Sequence, residues 1–149
     1  MAAGEAVSAP NAVPKGAPIW PRVVLLGLGY FVIGVVTAAL SRSAASDQAR
    51  QVWRLAAWLA SAALFGRQIW YERVRRGGAA ANAALRAALA VALGGFLLAV
   101  AATVHWMSAG AGRPVAHVVA LVAWPVLLGL PAFLVAWAAA AVLAPRKPV

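Results

Sequence analysis

The apolar positions fall into four blocks separated by short polar runs. Residues 23–40, VVLLGLGYFVIGVVTAAL, carry no charge. Eighteen residues make about 27 Å of helix, enough to cross the hydrocarbon core with help from the ends. The run SRSAASDQAR, 41–50, reads as a polar loop. The second block is shorter: LAAWLASAALFG, 55–66, lies between Arg54 and Arg67. Twelve residues cover only about 18 Å. Both arginines can reach outward along their aliphatic stems. Trp53 on one side and Trp70 with Tyr71 on the other suit the two interfaces, which extends the span to about 51–71.

ERVRRGG, 72–78, ends the second helix, with Gly77 and Gly78 as the break. A connector holding Asn82 and Arg86 leads to a third span at 87–107. SAGAGRP, 108–114, reads as a tight turn, with Pro114 suited to the first turn of a last span at 115–137. Residues 1–21, with Pro10, Pro14, Pro18 and Pro21, read as a flexible cytoplasmic tail. The expected division is this tail, a membrane domain at 22–144 and a basic tail at 145–149. A cleaved signal peptide is the alternative for the first span, but its apolar stretch exceeds the usual length of roughly 7–15 residues.

Composition supports the membrane reading. Of 149 residues 64% are apolar and 11% charged, with mean hydropathy +0.85. A soluble domain of this size has about a quarter charged residues. The high hydrophobicity excludes disorder. The absence of cysteine excludes a disulfide scaffold, a thiolate nucleophile and a thiolate metal site.

Charge sets the expected orientation. With four spans, Lys15, Arg22, Arg67, Arg73, Arg75, Arg76, Arg86, Arg146 and Lys147 fall on one side, and Arg42, Arg50, Arg54 and Arg113 on the other. Nine against four places both termini in the cytoplasm. If 55–66 did not cross, eight arginines would lie outside, which argues for the second span. The predicted architecture is an all-α, up-down four-helix transmembrane bundle in the cell membrane, most simply a bacterial inner membrane, with sequential helices as antiparallel neighbours. Gly27, Gly34, Gly94 and Gly95 permit close helix approach, although small-residue spacings arise by chance in an alanine-rich chain.

Candidate chemistry is sparse. The three acidic residues, Glu5, Asp47 and Glu72, lie far apart in sequence, so paired-carboxylate catalysis is not expected. On the second span Arg54, Trp58, Ser61, Phe65, Gln68 and Glu72 recur at steps of three and four and share one face. Such a polar stripe should face protein or water; helix packing and end anchoring explain it as readily as a cavity or proton path. Glu72 is expected to form an exposed ion pair with Arg76. Arg67, Arg73, Arg75, Arg76 and Arg86 can contact anionic lipid headgroups. Nucleic acid is not expected, because the aromatics beside them suit the interface instead of base stacking.

His105 and His117 flank the last turn and, with Asp47, form the only arrangement that suggests metal or haem; no strong ligand motif accompanies them, and no cofactor is expected. Trp124-Pro125 and Leu130-Pro131 predict a bend or loosened turn in the last helix, with Trp124, Pro125 and Pro131 as cavity markers.

Size and topology are similar to those of small multidrug transporters. Those proteins need a carboxylate deep in the first helix, and 23–40 has none. Thiol-dependent quinone reductases and mercury transporters fail for want of cysteine. The expected role is that of an accessory, scaffold or lipid-interacting subunit without catalysis of its own, associated with itself or with a larger membrane complex. Transport through the bent fourth helix and the polar stripe is the alternative, and a haem or metal redox subunit the next.

Overall fold

The computed structural model describes residues 19–77, 79–108 and 114–143, the side chains of 114–117 excepted. These residues are helical almost throughout. Helix α1 spans Trp20–Ser43, α2 Asp47–Trp70, α3 Ala80–Ser108 and α4 Pro114–Val142, with one π-helical turn, Tyr71–Arg75, continuing α2. Among the described residues, three helices are long and apolar enough to cross a membrane: Trp20–Ser43, Ala80–Ser108 and Val118–Val142. Helix α2 is long enough but carries Asp47, Arg50, Arg54 and Arg67, and is not one of them. The greater part of the expected N-terminal tail, most of the turn before Pro114 and the basic end with Arg146 and Lys147 lie outside the described residues.

The helices outrun the expected spans at nearly every end. Pro21 occupies the first turn of α1, where its missing N–H costs no bond. The expected loop 41–50 shrinks to 44–46. Ala44 turns extended and ends α1. Ser46 then caps α2 by accepting a hydrogen bond from the Ala49 amide at 3.1 Å. Asp47 adds a negative charge to the same first turn. The expected connector through Asn82 and Arg86 is instead the start of α3. Residues 80–88 are mostly alanine, the strongest helix former, and nothing there breaks the helix.

The π turn carries a bond from the Arg76 amide to the Tyr71 carbonyl at 3.3 Å, five residues back. Gly77 follows with φ of +60°, a backbone state that L side chains rarely adopt. Together they end the α2 segment and redirect the chain into α3.

Helix α3 is the centre of the fold. It packs most extensively on α4 and next on α1, while α1 also carries α2. Helix α2 touches α3 and α4 only lightly, so sequence neighbours are not uniformly spatial neighbours. Gly94 brings α3 against α1: a Cβ built there would lie 2.6 Å from Tyr30 Cβ and 3.1 Å from the Gly27 carbonyl oxygen. Helix α2 instead offers Trp58 and Phe65 toward the gap between the helices. The core is correspondingly made of small residues, with Ala83, Ala84, Ala87, Ala136 and Ala140 buried around Ile69. Close backbone approach, with dispersion across small side chains, replaces interlocking of large ones.

Helix α4 runs unbroken through Pro125 and Pro131. Of the three helices apolar enough to cross a membrane it has the smallest buried share, 6% of its apolar window.

Candidate functional site

The ionic groups gather where α1 begins, α2 ends and α3 begins. Glu72, in the π turn, is 6% exposed. Arg86 of α3 donates from Nη1 to Glu72 Oε2 at 2.5 Å, and Arg76 Nη1 lies 3.8 Å from Oε1. The expectation of an exposed pair within one helix is therefore corrected. The carboxylate is buried, and its shorter contact reaches a residue of another helix, 14 positions away in sequence. Glu72 follows Gln68 by four residues and shares its buried face, while the helical start of α3 places Arg86 about two turns along that helix. A carboxylate so placed needs charge-assisted hydrogen bonds to offset the loss of water.

Arg73, next in the same turn, donates from Nε to the Ala140 carbonyl at 2.7 Å. Ala140 belongs to the last turn of α4, whose carbonyls have no partner within the helix. Thus one short cationic segment pins α3 through Glu72 and caps α4 through Arg73. Arg75 is exposed.

Beside this cluster lies a pocket of about 370 Å³ between α1, α2 and α3. Arg22, Arg67 and Arg86 line it together with Glu72 and Gln68. Arg22 stands 4.8 Å from the centre of the Tyr71 ring, which fixes its guanidinium by cation–π attraction. Glu72 is the sole acid in the lining, and both its oxygens already face arginines. Gln68 is 6% exposed and its Oε1 has no hydrogen-bond partner among the described residues. Below the charges the wall becomes apolar through Leu25, Leu26 and Leu64. The arrangement combines net positive charge, a buried amide acceptor and an apolar floor.

The polar stripe of α2 divides between three clefts. Gln68 and Glu72 line this pocket, Arg54 and Trp58 line a second at the far end of α1 and α2, and Trp58, Ser61 and Phe65 line a third between all four helices. Of the headgroup candidates, Arg67 and Arg86 reach the pocket, Arg73 and Arg76 serve the contacts just described, and Arg75 lines none of the three clefts. Arg22 was not singled out by sequence; its place in the first turn of α1, level with Tyr71 at the end of the antiparallel α2, was the available signal.

Pro131 lines the third cleft. Trp124 is half exposed, and neither it nor Pro125 lines any of these clefts. Asp47 is exposed and pairs with Arg50 at 2.9 Å. His105 is exposed near the end of α3, with the Trp106 ring edge-on at 6.4 Å between centroids. The His117 side chain lies outside the described residues. Among the described residues, no three His, Asp or Glu side chains come together as a metal-binding group.

No family model, curated protein or solved structure matches the chain.

Proposed function

We propose that the chain is a small multi-pass integral membrane protein that holds anionic phospholipid headgroups in the Arg22–Arg67–Arg86 pocket. In this reading it crosses the bilayer four times with both termini cytoplasmic. It serves as an accessory, scaffold or lipid-interacting subunit, not as an enzyme. The carrying observation is the pocket itself: three arginines and one already neutralised acid above a floor of leucines.

The chemistry follows from the lining. A lipid phosphate placed between Arg22 and Arg67 gains charge-assisted hydrogen bonds from two guanidinium groups. Arg67 has no acidic partner of its own among the described residues. A headgroup hydroxyl beside the phosphate can donate to the buried Gln68 Oε1. Leu25, Leu26 and Leu64 then meet the start of an acyl chain. The positive-inside bias puts this end of the molecule at the cytoplasmic leaflet, where anionic lipid attracts each nearby basic residue by about 1 kcal/mol. The second crossing is supported by Arg54 and Arg67, thirteen residues and about 20 Å apart, which bracket the uncharged core of α2.

Electron spin resonance of spin-labelled lipids in reconstituted vesicles tests the reading. Phosphatidylglycerol should be immobilised by the wild-type chain several-fold more than phosphatidylcholine, and R22Q/R67Q should remove most of that preference. An unchanged preference in a variant of wild-type helicity rejects the pocket. The chain has no native cysteine. The single variants Ala44→Cys and Ala79→Cys should therefore label from opposite sides of sealed vesicles if α2 crosses.

A further inference from the structure

The opposite end of the α1–α2 hairpin carries a second basic pocket, of about 390 Å³. Arg42 from the last turn of α1 and Arg54 from the third turn of α2 both line it. No acidic residue lines it, and neither guanidinium has an acidic partner among the described residues. Asp47, the acid nearest in sequence, pairs with Arg50 at 2.9 Å.

This pocket continues into the third cleft. Gly34, Ala57 and Trp58 line both. The cleft has a volume of about 430 Å³ and lies where α2 stands away from α3 and α4. Its walls are Phe65 of α2, Leu98 of α3 and Leu128 and Val135 of α4, and Trp58 at the junction is 77% exposed. A packed helical protein does not ordinarily leave apolar side chains apart across such a gap, because each forfeits its dispersion contacts.

We infer that this continuous groove is a binding site for one anionic phospholipid, with its phosphate between Arg42 and Arg54 and an acyl chain in the cleft between α2 and the α3–α4 pair. Charge complementarity fixes the head. Two unpaired arginines at a membrane interface favour an anion, and a phosphate accepts from both. The cleft fixes the tail, since its lining offers carbon almost throughout. The lipid supplies the packing that α2 lacks toward α3 and α4, so it is a structural component and not part of the general annulus. The site shares with the function proposed above only the membrane placement. The two pockets lie at opposite ends of α1 and have no residue in common.

Native mass spectrometry of the full chain, released from detergent with equal dioleoyl phosphatidylglycerol and dioleoyl phosphatidylcholine, reads the site directly. The R22Q/R67Q background removes the first pocket and keeps the two readings separable. In that background one phosphatidylglycerol should remain bound, preferred over phosphatidylcholine by about tenfold. Adding R42Q/R54Q should abolish the preference. Ala62→Phe, which fills the cleft wall, should lower retention of the dioleoyl lipid while sparing dihexanoyl phosphatidylglycerol. Free inorganic phosphate should not reproduce the binding of the long-chain lipid.

Trp58 gives a readout that needs no arginine variant. Phosphatidylglycerol brominated on its acyl chains should quench tryptophan emission more than brominated phosphatidylcholine, and the excess should vanish in Trp58→Phe. Retained preference in R42Q/R54Q, full retention of the dioleoyl lipid in Ala62→Phe, or equal quenching by the two lipids overturns the inference.

Discussion

Arg86 of α3, partly exposed at 21%, pairs with the buried Glu72 of the π turn, whose side chain is 8% exposed. Arg76 approaches the other carboxylate oxygen from the same turn as Glu72, at the longer distance of 3.8 Å. Glu72 therefore couples the end of α2 to the start of α3 at a point where those two helices otherwise touch lightly. Removing Arg86 leaves the buried carboxylate with only the longer Arg76 contact. Arg86→Ala should lower stability by about 1–3 kcal/mol, the range for leaving a buried acceptor short of a hydrogen bond. The double variant Glu72→Gln/Arg86→Gln should recover part of that loss. Reversible unfolding in mixed micelles, arranged as a double-mutant cycle, measures the coupling. Additive single effects would show that the two side chains act independently.

Two glycines predict opposite outcomes for the same substitution. At Gly94 a Cβ would sit 2.6 Å from Tyr30 Cβ and 3.1 Å from the Gly27 carbonyl oxygen, and a backbone atom cannot step aside. Gly94→Ala should cost about 1–3 kcal/mol as α1 and α3 are pushed apart. At Gly66, inside α2, nothing lies within 4 Å of the added carbon. Gly66→Ala should stabilise by about 0.5–1 kcal/mol through helix propensity alone. Melting temperatures of the two variants, compared with wild type, should move in opposite directions.

The Tyr30 hydroxyl is buried and has no hydrogen-bond partner among the described residues. Removing an unsatisfied hydroxyl loses no bond and ends its desolvation penalty. Tyr30→Phe should leave stability unchanged or raise it by about 1 kcal/mol, within the range for an unmade buried hydrogen bond. A drop of that size in thermal unfolding would contradict this.

Arg73 caps the last turn of α4 by donating to the Ala140 carbonyl at 2.7 Å. Arg73→Met keeps much of the aliphatic stem and removes the donor. Hydrogen exchange should then accelerate in the last turn of α4, around Ala139–Val142, with little change near Gly129. Uniform acceleration along the whole helix would assign Arg73 a global role in place of a terminal one.

Helix content, the positions of the four helices and the weakness of the second as a membrane span follow from local sequence. Uncharged runs of about twenty residues have few alternatives to helix in lipid, where every backbone polar group needs an internal partner. The placement of Arg54, Trp58, Ser61, Phe65, Gln68 and Glu72 on one face of α2 was likewise visible, because helical periodicity alone decides it. The π turn was not. One extra residue in a turn leaves no mark in the hydrophobic pattern.

Only the tertiary structure paired Glu72 with Arg86, brought Arg73 to the end of α4 and gathered Arg22, Arg67 and Arg86 around one pocket. Those contacts join residues of different helices, and their distances depend on how closely two backbones approach. Here Gly94 sets that approach for α1 and α3, while α2 meets the alanines of α3 and α4 mainly through Ile69 and Phe65 near its end and leaves a cleft beyond them. Local periodicity assigns each side chain to a face of its own helix. The relative sizes of side chains on facing helices decide which faces meet and where a cleft stays open.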